Sequence, residues 1–121
     1  MEQEPSAKKV ENVTYRVLWL ENSTEDLEKI PKDIAESIIE KADQRLSQFP
    51  HYVGQPLKGT TKKLWKIRFS KYRVVYTINN KYKEVYILGV ISRDVVYRNN
   101  SVQSFLRLAI ALHEIGKQGG I

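Results

Sequence analysis

The chain has 121 residues, 41% of them hydrophobic and 28% charged, with a net charge of +6 and no cysteine, a balance that suits one globular domain. The missing cysteines exclude disulfides, thiolate metal sites and cysteine nucleophiles, and they fit a reducing cytoplasm. The charge is unevenly placed: residues 1–50 carry 7 basic and 11 acidic side chains, a net of −4, whereas residues 51–121 carry 13 and 3, a net of +10, so the second half is suited to a polyanionic partner.

Residues 1–12 are polar and aperiodic, which predicts a disordered tail. They hold Glu2, Glu4 and Glu11 and no apolar block, so they do not read as a signal peptide, and no run approaches the ~20 apolar residues that span a bilayer. From Val13 the pattern alternates, with Val13, Tyr15, Val17 and Trp19 on one side of a strand. Glu21, Asn22, Ser23 and Thr24 supply capping chemistry for a short helix over 24–30, which Pro31 interrupts. A second helix over 32–48 carries Ile34, Ala35, Ile38, Ile39, Ala42, Leu46 and Phe49 as one stripe. Pro50, Gly54, Pro56 and Gly59 mark residues 50–63 as a loop. Strands follow at 64–69, 72–78 and 85–91, the last apolar on both faces. From Asn99 a helix with Val102, Phe105, Leu106, Ala109, Ile110 and Leu112 closes the chain. Its apolar surface must either pack back on the sheet or make a homodimer contact. The order is β-α-α-β-β-β-α, an α+β domain with two helices covering one face of the sheet.

A two-residue turn at Ser70 and Lys71 sets Phe69 opposite Tyr72, Arg68 opposite Arg73, Ile67 opposite Val74 and Lys66 opposite Val75. Apolar residues then share one face throughout. The other face opposes two arginines with Lys66 one step away, at a cost of roughly 0.2–1 kcal/mol for like charges. A bound phosphate reverses the sign of that interaction. His51 and His113 lack metal-ligand spacing and read as ordinary polar surface residues, Trp19 and Trp65 read as core anchors, and the run from Gly54 to Gly59 lacks the ending of a nucleotide loop. No metal or cofactor is expected.

Pro56-Leu57-Lys58-Gly59, Leu64-Trp65-Lys66-Ile67-Arg68, Tyr72-Arg73-Val74-Val75-Tyr76 and Arg93-Asp94-Val95-Val96-Tyr97-Arg98 occur in this order. Together they resemble the RelE/ParE toxins of type II toxin–antitoxin modules. Tyr15-Arg16-Val17 and the Ile30-Pro31 junction fit the same template. The resemblance makes residues 13–98 the toxin domain and residues 99–121 a helical extension. It implies a small, curved, mostly antiparallel sheet with two helices on one face. It further implies a cytoplasmic, ribosome-dependent mRNA endoribonuclease that inhibits translation and is held in check by a cognate antitoxin; the alternative within the family is a ParE-like gyrase inhibitor without nuclease activity. By resemblance the catalytic set is Lys66, Arg68, Arg73 and Tyr97, with Lys66 as the base for the 2′-hydroxyl, the arginines on the phosphate and Tyr97 stacking on a base or orienting the 2′-hydroxyl. Lys58, Lys62, Lys63, Lys71, Arg93 and Arg98 are the expected RNA-binding cations around it. The chain departs from relatives that carry a histidine before the late arginine, having Ser92-Arg93 there, and no Glu/His acid–base pair is present.

Overall fold

Alternating side chains need a sheet with something packed on each face, and the chain supplies both layers. The computed structural model describes residues 14–61, 63–92 and 99–119, with side chains of the last helix described from Val102 to His113. In order they form β1 (Arg16–Trp19), α1 (Glu21–Glu28), α2 (Lys32–Gln48), a helical turn α3 (Pro50–Val53), the short β2 (Gln55–Pro56), β3 (Trp65–Phe69), β4 (Tyr72–Asn79), β5 (Glu84–Ser92) and α4 (Asn99–Gly119). The strands make one mixed sheet in the order β1-β5-β4-β3-β2. Only β1 and β5 run parallel; the other pairs are antiparallel.

The two faces of the sheet are buried against different partners. Val74, Tyr76, Ile78, Val85 and Ile87 join Leu27, Ile38, Ala42 and Leu46 of α1 and α2 in the larger core. On the opposite face Leu64, Val75 and Leu88, all fully buried, lie under Ala109 of α4, flanked by Val102, Phe105, Leu106, Leu108 and Leu112. That apolar stripe packs back on the sheet within the chain, with Ile110 left exposed. Residues 1–13, including the expected tail at 1–12, lie outside the described residues.

Three local departures from the expected pattern have physical causes. The first helix begins at Glu21 rather than residue 24, because Leu20 is its N-cap. Ser23 and Thr24 therefore sit inside the helix, where their hydroxyls donate back to the carbonyls of Leu20 (2.6 Å) and Glu21 (2.7 Å) instead of capping it. The expected loop at 50–63 contains α3 and β2, each too short for a periodic signal. In β5, Ile87 pairs with Tyr76 but Gly89 pairs with Val75, so Leu88 is an extra residue in a bulge. That bulge returns Val90 to the α1/α2 side. Beyond Ile87, β1 no longer flanks β5, and the Asp26 carboxylate accepts from the Val90 backbone N–H at 2.9 Å. An otherwise open edge is thereby closed by a helix side chain.

His113 is half-buried rather than an open surface residue. Its Nε2 lies 3.1 Å from the hydroxyl of the fully buried Thr77, joining α4 to β4. Burial, and secondarily the Lys63 charge, hold its pKa below the usual imidazole value of 6.5. The unfolded chain therefore binds the extra proton first as pH falls, so the contribution of this group is complete above about pH 6.5 and is lost below it. The melting temperature of the wild type should drop more between pH 7.5 and 5.5 than that of His113→Gln, as a pair of thermal melts would show. Among the described residues no helix is long and apolar enough to cross a membrane.

Candidate functional site

The β3–β4 hairpin adopts the register that side-chain parity predicts: Phe69 opposite Tyr72, Arg68 opposite Arg73, Ile67 opposite Val74 and Lys66 opposite Val75. Ser70 in the turn takes a positive φ of 56°, which lets two residues reverse the chain. Lys66, Arg68 and Arg73 thus share the face that α4 partly covers. Val75, the partner of Lys66, is fully buried under α4, whereas Arg68 is exposed and Arg73 half-buried. The helix ends its cover at Lys66 and leaves the two arginines open.

Two concave surfaces meet at Lys66. A cavity of about 360 Å³ is lined by Arg45, Gly54, Gln55, Lys66, Arg68 and Arg73. A second, of about 480 Å³, brings Lys58 and Lys66 against Val102 and Gln103 of α4. Among the described residues no carboxylate is placed in an ion pair with Arg68 or Arg73, so the field of the first cavity is positive. Such a pocket suits an anion with several oxygens, because guanidinium groups bind oxygens in pairs. Among the described residues no group of His, Asp or Glu could hold a metal ion.

The wall of this pocket is fixed by a close backbone approach. A Cβ on Gly54 would stand 2.0 Å from the Tyr76 hydroxyl and 2.7 Å from the Lys66 carbonyl oxygen. Tyr76 is fully buried and donates to the Pro50 carbonyl at 2.7 Å, and burial raises its pKa well above the usual phenol range. Gly54→Ala should therefore push the α3–β2 segment off β3 and cost about 1–3 kcal/mol, read by chemical denaturation. Thr60, also buried, ties the next turn together: its hydroxyl donates to Leu57 O at 2.8 Å and accepts from Leu64 N–H at 3.3 Å.

Of the cations expected from sequence, the structure gathers Lys58, Lys66, Arg68 and Arg73. Lys63 lies near His113 instead, and Lys71 sits at the turn with its ammonium 5.6 Å from the Tyr72 ring centre. Tyr97, Lys62, Arg93 and Arg98 lie outside the described residues. Sequence reasoning missed Arg45, which belongs to α2 and reaches the site only through the tertiary fold. It also placed His51 at the surface, whereas that ring packs edge-on to Tyr15 (5.9 Å) and Trp65 (5.7 Å).

Comparison with known proteins gives a consistent set of likenesses. The family described as ParE toxin of type II toxin-antitoxin system, parDE, matches residues 17–97. Toxin RelE of Mycobacterium tuberculosis (strain ATCC 25618 / H37Rv) is 33% identical over 86 residues, covering 71% of this chain and 89% of that protein. Toxin RelG of the same organism is 33% identical over 84 residues, covering 69% and 97%. The toxin-antitoxin complex RelBE2 from M. tuberculosis contains a chain that superposes with a TM-score of 0.63 at 33% identity, covering 68% of this chain and 94% of that one.

Proposed function

Since the chain belongs to the RelE/ParE superfamily of type II toxins, we propose that it is a ribosome-dependent mRNA endoribonuclease acting in the cytoplasm, with a cognate antitoxin as its partner. The observation that carries this reading is the display of Lys66, Arg68 and Arg73 on one sheet face, with the two arginines directly opposed and, among the described residues, no acid in an ion pair with either arginine.

The chemistry assigns each group a task. Lys66 takes the proton from the 2′-hydroxyl, whose oxygen attacks the adjacent phosphorus to form a 2′,3′-cyclic phosphate while the bond to the 5′-oxygen breaks and that oxygen takes a proton from water. Arg68 and Arg73 hold the non-bridging oxygens as charge builds on them. Tyr97 stacks on a neighbouring base or orients the 2′-hydroxyl, and Lys58 meets the backbone further along. The positive face also explains the antitoxin: an acidic segment complements it and masks it.

The family match to ParE toxins favours one second reading, inhibition of DNA gyrase without cleavage. Primer extension on mRNA from a translating extract, run beside a gyrase supercoiling assay, separates the two. The chain should cut mRNA only when ribosomes engage it and leave supercoiling untouched. Inhibited supercoiling with intact translated mRNA overturns the ribonuclease reading.

A further inference from the structure

The sheet loses its outer strand just where the cationic face begins. β2 pairs with β3 only at Trp65 and Lys66, so among the described residues no strand lies beside the β3 edge from Ile67 onward. Arg45, in the last turn of α2, stands at this gap. Its guanidinium carbon lies 5.4 Å from the centre of the Phe69 ring, and the side chain lines the same cavity as Lys66, Arg68 and Arg73. A groove continues from there between α2 and β3, lined by Lys41, Arg45, Arg68, Phe69 and Ser70 and reaching Asp33 in the first turn of α2. An arginine in a last helical turn complements the helix dipole wherever it points. Seating over an aromatic ring beside three other cations is a narrower arrangement, and it keeps the in-plane N–H fork available to a ligand.

Charge matching says what that ligand is. A phosphodiester carries one negative charge and the phosphorane formed from it carries two, which Arg68, Arg73 and the Lys66 ammonium formed on taking the proton already more than balance. The charge on Arg45 is surplus unless a second phosphate enters. We propose that Arg45 binds the phosphate next to the scissile one, so that the RNA strand leaves the sheet face over the open β3 edge and runs into the α2–β3 groove. The inference deepens the ribonuclease reading and rests on it.

The test is a cycle of two changes, measured as mRNA cleavage on programmed ribosomes. One change is Arg45→Ala; the other is a neutral methylphosphonate in place of the phosphate on either side of the cleaved linkage. At one of the two positions each change alone should raise the half-saturating toxin concentration about 10-fold, the range of a charged hydrogen bond. Both together should cost no more than one, and the saturated rate should stay within about twofold. The slope of log affinity against log salt should fall by about 0.7 for Arg45→Ala, and Arg45→Lys should keep the slope while losing part of the affinity. Thermal melts keep folding out of the comparison, and wild type on the neutral mRNA needs no variant at all. Additive costs at both positions, or an Arg45→Ala chain that matches wild type, overturn the proposal while wild-type cleavage keeps the ribonuclease reading standing. Wild type that does not cut overturns both. Loss of antitoxin capture by Arg45→Ala, with mRNA affinity unchanged, assigns the residue to the protein partner and likewise overturns it.

Discussion

Arg73→Ala and Arg68→Ala should each slow translation-coupled mRNA cleavage by about 10²–10³-fold, the usual cost of removing one ligand from a developing oxyanion. The loss should appear in the saturated rate, since the interaction strengthens as the phosphorane gains charge. The fold should survive, because neither side chain belongs to the larger core and both lie on the face that α4 leaves open. Melting temperature should stay level or rise slightly, because the two guanidinium groups face each other across the strands and removing one relieves a like-charge pair. An active site that weakens the free protein in this way is the usual trade between stability and function. Arg73→Lys should be poor as well, since an ammonium cannot reproduce the two-pronged grip. Single-turnover cleavage and thermal melts on the same preparations give the result; full activity in either alanine variant would falsify the role assigned here.

The second large effect concerns stability. Removing residues 99–121 strips α4 from the sheet and bares Leu64, Val75 and Leu88, which are fully buried beneath it. Each such side chain is worth about 1.5–3 kcal/mol when fully buried, so the shortened chain should lose several kcal/mol. A drop of about 10 °C or more in melting temperature follows for a domain of this size, together with binding of an apolar dye to the uncovered face. Gly89→Ala is the point version of the same experiment: its Cβ would meet the Phe105 ring at 2.8 Å, so the ring must tilt and the helix lift. That variant should move in the same direction by about 1–3 kcal/mol. A truncated chain that melts with the wild type would show that α4 contributes nothing to the fold.

The hairpin register was readable from sequence because parity allows only one pairing that keeps Trp65, Ile67, Val74 and Tyr76 on one face. The α2 stripe was readable for the same reason, and its ends agree with the expected 32–48, but Phe49, expected in the stripe, is the C-cap and stays exposed because the helical period stops before it. What stayed hidden depends on contacts between distant segments. Leu88 looks like one more apolar residue in a continuous run, and nothing in that run marks the bulge. Ser23 and Thr24 have the chemistry of caps, yet the helix starts earlier, and their hydroxyls turn inward on it. His113 reads as polar until Thr77 is found beneath it. Arg45 occupies an exposed helical position indistinguishable by pattern from Lys41, and only the Phe69 ring and the missing length of β2 set it apart.

The order of strands bears on how such a protein is made. β1 emerges early in synthesis, but its neighbour in the sheet is β5, and Arg16 pairs with Glu84. β5 is also the strand that binds β4, so both sides of the sheet wait for the same late segment. The hairpin bearing Lys66, Arg68 and Arg73 can close locally, whereas its supporting sheet cannot assemble until residue 92 has left the ribosomal tunnel, with α4 still to follow. A nascent chain tethered to its own ribosome therefore lacks a finished sheet until β5 is free to pair with both β1 and β4.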